Sequence, residues 1–209
     1  MSEFVHLRAM TRHSAGMGAL TEWPLVDAMA DMGVPAVTVS DRHGIYGAVQ
    51  LGRCARDRGL KPIIAAEFVV QDHRLGGPSP GPAGTLLLLA RTAAGLQNLT
   101  RLSSLAWLTG WNGREPRLDL ATLAAHAAGL MVLAAGPESV TGQRLRGRLR
   151  GSAIGRIEEL LACFERKHVF VEVQRGDGDA DLDAARATVA LARQMGLAPV
   201  ATADCRCVP

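Results

Sequence analysis

Short apolar runs alternate with longer stretches of helical spacing along the whole chain. That alternation constrains the fold more than any other feature. Phe4–Ala9, Ala36–Ser40, Ile63–Val70, Thr85–Ala90, Leu130–Ala135, Val169–Gln174 and Pro199–Ala203 read as seven strands. After the first, Thr21 offers an N-cap for Leu25, Val26, Met29 and Met32 at helical spacing, closed by Gly33. Tyr46–Arg58 is a second helix closed by Gly59, and others are expected up to Leu105, from Leu118, after the fifth strand in two arginine-rich segments, and over Ala180–Met195. Strand–helix repetition predicts an α/β fold with mostly parallel strands. No G-x-G-x-x-G loop follows the first strand, which favours a closed or nearly closed (β/α)7 barrel over an open dinucleotide-binding sheet. Gly76–Gly84 (GGPSPGPAG) is the one low-complexity stretch, internal and too short for a domain boundary, so residues 1–209 read as one domain.

Composition agrees. Hydrophobic residues make up 48% and aromatics only 4%, so the core must come from Leu, Val, Ile, Ala and Met, as in buried parallel strands covered by helices. A formal charge of +3 neither requires nor excludes a nucleic-acid partner. Cys54, Cys163, Cys205 and Cys207 are too few and scattered for a disulfide framework, which points to a reducing cytoplasm. Glu3, His6 and Arg8 interrupt any signal-peptide apolar region, and the longest apolar run, Leu86–Ala90, is far too short to span a membrane.

In a parallel barrel, chemistry gathers at the C-terminal ends of the strands. Those ends carry Arg8 and Met10 after the first strand, Asp41, Arg42 and His43 after the second, and Asp204 and Arg206 after the seventh, with Glu67 inside the third. The segments FVHLRAMTRHS (Phe4–Ser14), SDRHGIYGAV (Ser40–Val49), GLKPIIAAEFVV (Gly59–Val70), AAGLQNLTRLSSLAWL (Ala93–Leu108) and LAPVATADCR (Leu197–Arg206) occur in that order over nearly the whole chain. In this order and spacing they resemble the PHP (polymerase and histidinol phosphatase) domain of bacterial DNA polymerase III alpha subunits.

That resemblance implies a PHP-type distorted, TIM-like (β/α)7 barrel. In metal-loaded relatives these motifs supply ligands to a small metal cluster that supports phosphoester hydrolysis. Here the paired histidines of the first motif fall on Arg8 and Met10, and the acidic ligand after them on Met17. Further expected ligands fall on Arg42, Thr85, Gly136, Gly176 and Arg206; Glu67 and Asp204 alone stand where a ligand belongs. Arginine has no lone pair to give a metal, methionine is too soft for hydrolytic metals, and two carboxylates do not make a catalytic site. The resemblance therefore implies a non-catalytic domain of a DNA-directed DNA polymerase family, with a structural or docking role in replication and no cofactor. Its partner would be a polymerase module, itself absent from this chain, or other replication subunits. Arg8, Arg42 and Arg206 are expected to replace the metals as fixed counter-charge, at least one of them pairing with Glu67 or Asp204.

Two other readings stay open. His6, Asp41 and His43, with Glu67 and Asp204, would form an altered zinc or manganese phosphoesterase or 3′–5′ exonuclease site; His6 is expected on the inward face with Arg8 and Met10 by strand alternation. Its bland alternative is a buried, hydrogen-bonded histidine, and His13 and His43 read more simply as loop residues. Arg144, Arg146, Arg148 and Arg150, with Arg156, lie in a stretch without acids. They suit either weak contact with DNA or a partner protein, as in a free-standing replication factor, or a solvated helix face.

Overall fold

The computed structural model describes residues 4–71, 83–174 and 179–207. Helix α1 (Glu22–Asp31) precedes strand β1 (Ala36–Arg42), and α2 (Ala48–Asp57) leads to β2 (Lys61–Gln71). Strand β3 (Ala83–Ala90) is followed by α3 (Ala93–Leu108), α4 (Leu120–Ala125) and β4 (Leu130–Ala134). The arginine-rich stretch forms α5 (Val140–Arg146) and α6 (Arg150–Cys163); β5 (Val169–Val173), α7 (Asp179–Met195) and β6 (Ala198–Ala201) complete the order. Thr21 stands at the N-cap of α1 but its side chain makes no capping bond, and Gly33 turns the chain at φ 68°. Most of the Gly76–Gly84 stretch lies outside the described residues, as does Gly176.

The strands make one six-stranded sheet in sequence order, β1 to β6. The pairs β1–β2, β4–β5 and β5–β6 are parallel, as the strand–helix alternation predicts. Strand β3 departs from that pattern and runs antiparallel to both neighbours. The reason is legible in length: residues 72–82 are too few for the helical crossover that a parallel return needs.

Phe4–Ala9, expected as the first of seven strands, forms no ladder. It makes single bridges instead, wedged between β1 and the residues after β6. The amide of Ser40 donates to the Ala9 carbonyl at 2.8 Å, and that of Met10 to the Cys205 carbonyl at 3.0 Å. The Ser40 hydroxyl takes over one further ladder position by accepting from the Ala9 amide at 2.8 Å. This segment joins the two edges of the sheet and closes the distorted barrel.

Alternation along the strands sorts the core into an outside and an inside. In β2, Ala66, Phe68 and Val70 pack outward with Leu86, Leu88, Leu99, Leu102 and Ile157 under the helices. A second outer cluster joins α1 and α2 to β1 through Leu25, Val26, Val37, Val39 and Leu51. Inside, Ala65, Leu87, Leu89 and Leu133 fill the barrel with Leu7, Phe170 and Val200. One step up the same inward faces stand Glu67 and Glu172, both 1% exposed, and Thr85 and Thr202. An apolar barrel is thus capped at its mouth by a buried polar layer. Among the described residues no helix is long and apolar enough to cross a membrane.

Candidate functional site

Arg8 enters the polar layer from the closing segment, and its side chain is 7% exposed. Its Nε and Nη2 donate in parallel to the two carboxylate oxygens of Glu172, at 3.0 and 2.9 Å. Its remaining nitrogen, Nη1, pairs with Glu67 Oε2. Arg42, at the end of β1, reaches the other oxygen of Glu67 at 2.5 Å and Glu138 Oε2 at 3.2 Å. Arg206 grips Asp204 Oδ2 through Nε at 2.8 Å and Nη2 at 2.7 Å, and lies 4.0 Å from Glu138 Oε1. The charges therefore alternate along one chain: Glu172, Arg8, Glu67, Arg42, Glu138, Arg206, Asp204. Four carboxylates face three guanidiniums. Glu172 also accepts from the Thr202 hydroxyl at 2.7 Å and from Gln174 Nε2 at 3.0 Å, so its negative charge is well compensated.

Glu67 and Asp204 line one cleft of about 140 Å³ at the mouth, together with Arg8, Met10, Thr85 and Arg206. An adjoining cavity of about 310 Å³ lies against Glu172, Gln174, Arg146 and the α7 residues Asp181 and Thr188. The donors present do not fit a hydrolytic metal centre. A guanidinium stands between Glu67 and Glu172, where a divalent ion would meet its charge. Among the described residues no three His, Cys, Asp or Glu side chains are placed to hold a metal ion. Gly136 sits where the motifs would put a cysteine ligand, and a Cβ there would lie 2.3 Å from Glu172 Oε2. A side chain at 136 would require the Glu172 carboxylate, which Arg8 holds, to shift.

The altered-site candidates do not converge on this layer. His6 departs from the inward register: its Nδ1 lies 3.0 Å from Cys205 Sγ and its ring meets Phe4 edge-on. The irregular backbone of the closing segment breaks the strict alternation that would have set it beside Arg8. Asp41 is fully buried and committed to holding loops. It accepts from the Thr11 amide and hydroxyl at 2.9 and 2.8 Å, from the Ser14 hydroxyl at 2.8 Å, and from the Gly47 amide at 3.2 Å. His13 instead approaches the buried Glu22 at 3.2 Å. His43 is buried in a left-handed conformation, φ 61°. Burial, then the neighbouring Arg42 charge, lowers its pKa to about 4, so it is neutral at physiological pH.

The arginine series is dispersed. Arg144 donates to the Ser152 carbonyl, Arg146 to that of Pro137, and Arg150 to Gln194 Oε1, while Arg148 has φ 58°. Arg156 is buried against Glu159 at 2.6 Å, not on a solvated face. The sequence reading missed Glu172 and Glu138. A lone acid in the apolar strand VFVEV, at an inward position, is the signal that would have found the first; an exposed loop glutamate such as Glu138 carries none.

A curled, mostly parallel sheet closed around a polar mouth is the architecture of a distorted, PHP-type barrel. It overlays an amidohydrolase from Chromobacterium violaceum with a TM-score of 0.64 at 14% identity, covering 97% of this chain and 87% of that one. A candidate metal-dependent phosphoesterase from Bifidobacterium adolescentis gives 0.60 at 13% identity, covering 99% and 89%. The chain belongs to the PHP domain family, whose pattern matches residues 6–176. It is 34% identical over 203 residues to the DNA polymerase III subunit alpha of Pseudomonas aeruginosa, covering 97% of this chain and 17% of that protein. The corresponding Escherichia coli K12 subunit is 34% identical over 211 residues, covering 99% and 18%. The chain thus spans less than a fifth of the length of these curated relatives.

Proposed function

We propose that this is a non-catalytic PHP domain serving a DNA polymerase III alpha-type replicase as a structural or docking module. The observation that carries the reading is Arg8, whose guanidinium ties Glu67 and Glu172 together inside the barrel mouth. A permanently protonated group there neutralises the carboxylates that a metal would need and cannot act as a base. Such a mouth holds the ends of β2, β5 and the closing segment in one piece, which is what a scaffold requires. The partner is a polymerase module of the alpha-subunit type.

Two measurements test this. The purified protein with added zinc or manganese is expected to hydrolyse neither a phosphomonoester nor a DNA 3′ end, and turnover lost on Glu67→Ala would defeat the reading. Mixed with an alpha-subunit polymerase module stripped of its own PHP region, the protein is expected to co-elute with it. Separate elution at micromolar concentrations would remove the docking role.

A further inference from the structure

This chain has few aromatic residues, yet three of the largest gather at one place on its surface. Trp107, in the last turn of α3, stacks on Trp111 with ring centroids 5.7 Å apart and planes 12° from parallel. Its Nε1 donates to the Tyr46 hydroxyl at 2.7 Å, which ties α3 to the loop after β1 on the mouth side of the barrel. The other edge of the cluster is closed by His43, whose ring meets Trp107 at 6.4 Å and 80°. About half of each indole and of Tyr46 is exposed, and Leu108 beside them is 81% exposed. The barrel interior, filled by Ala65, Leu87, Leu89, Leu133 and Phe170, uses none of these rings. Their apolar faces stand in water, held in a fixed geometry that an incoming flat group would not have to order.

The charges around the rings are one-sided. Arg101 lies two helical turns before Leu108 on the same face of α3, and Arg114 lies in the turn that follows Trp111; both are exposed. Among the described residues neither pairs with a carboxylate. The two acids of the segment are engaged, Glu115 by Arg117 at 3.0 Å and Asp119 by the Thr122 amide at the start of α4 at 2.7 Å. We infer that this patch binds single-stranded nucleic acid, with unpaired bases stacked on the open indole faces and phosphates met by Arg101 and Arg114. Stacking rings flanked by cations are the two elements from which sequence-tolerant single-strand sites are built. A duplex hides its base faces from such a platform. A second copy docked here about a two-fold axis would bring the same two cations, Arg101 and Arg114, into the interface from both sides. The inference is independent of the docking role, since it concerns a different ligand.

The test is fluorescence anisotropy of a labelled oligothymidylate of about 15 nucleotides, titrated with the full chain at low and rising salt. Binding is expected in the ~1–100 µM range of sequence-independent sites at physiological salt, and tighter at low salt. Trp107→Ala and Trp111→Ala should each weaken it about tenfold, whereas Trp107→Phe with Trp111→Phe keeps most of it. Removing Arg101 and Arg114 should flatten the slope of log K against log salt by about 1.4 in total. A duplex of the same length should bind more weakly than the single strand. The inference is overturned by no binding at low salt, by equal affinity for the duplex, or by unchanged affinity in a Trp107→Ala/Trp111→Ala protein with native circular dichroism. It is equally overturned if that double variant abolishes self-association of the protein and leaves oligonucleotide binding intact.

Discussion

Replacing Arg8 by Met removes the central cation of the mouth while keeping a side chain of similar reach. Arg8 gives Glu172 two of its four hydrogen bonds; Thr202 and Gln174 supply the others and remain. Glu67 loses one partner and keeps Arg42. Both carboxylates are almost fully buried, so neither can recover its lost interaction from water. Breaking a buried ion pair from one side typically costs 3–5 kcal/mol, and the partners that stay behind place this case at the lower end, about 3 kcal/mol. For a chain of this length that corresponds to a fall of about 10 °C in Tm. Urea denaturation followed by far-UV circular dichroism measures it, with an unchanged m-value showing that the unfolding transition is the same. Adding Glu172→Gln to the variant should then cost less than Glu172→Gln costs the native chain, because it neutralises the charge left stranded. The resulting cycle should give a coupling of about 2 kcal/mol. A variant within ~0.5 kcal/mol of the native protein, the range of an ordinary surface substitution, would refute the reasoning. It would mean that water already screens these carboxylates.

Gly136→Ala puts a methyl group 2.3 Å from Glu172 Oε2, against a carboxylate that Arg8 holds in place. It should cost about 2 kcal/mol in the same denaturation assay, and an unchanged midpoint would show that the Glu172–Arg8 pair yields easily. His43 has its pKa lowered to about 4, so the unfolded chain binds more protons than the folded one between its ordinary value and that pH. Stability from this group is therefore present above pH ~6.5 and declines as pH falls toward ~4. His43→Asn, which tolerates the left-handed backbone, should flatten that part of the stability–pH curve. An identical curve for both proteins would place the titration elsewhere.

The strand–helix alternation was enough to give the α/β class and all six strands within a residue or two, because buried strands and amphipathic helices leave different periods in a sequence. What it did not give was direction. Nothing in Thr85–Ala90 says that β3 runs against its neighbours; that follows from the shortness of residues 72–82, a constraint on the connection and not on the strand. Phe4–Ala9 misled in the opposite way. Its composition is that of a strand, but its position between two edges leaves room only for single bridges, with the Ser40 hydroxyl standing in for a ladder bond. The site shows the same division. Glu67, Asp204 and the arginines near them could be named from motifs, because each sits in a short motif that is local information. The pairing of Glu172 could not, since its partner Arg8 lies 164 residues away and the pair exists only because the closing segment crosses the barrel mouth. Even His6, two residues before Arg8, could not be placed by alternation. It turned to Cys205 once the ladder that would have enforced the alternation was reduced to isolated bridges. Register is transmitted by repeated hydrogen bonds; where the sheet closes through single ones, each side chain is placed by its own contacts, and those lie far off in sequence.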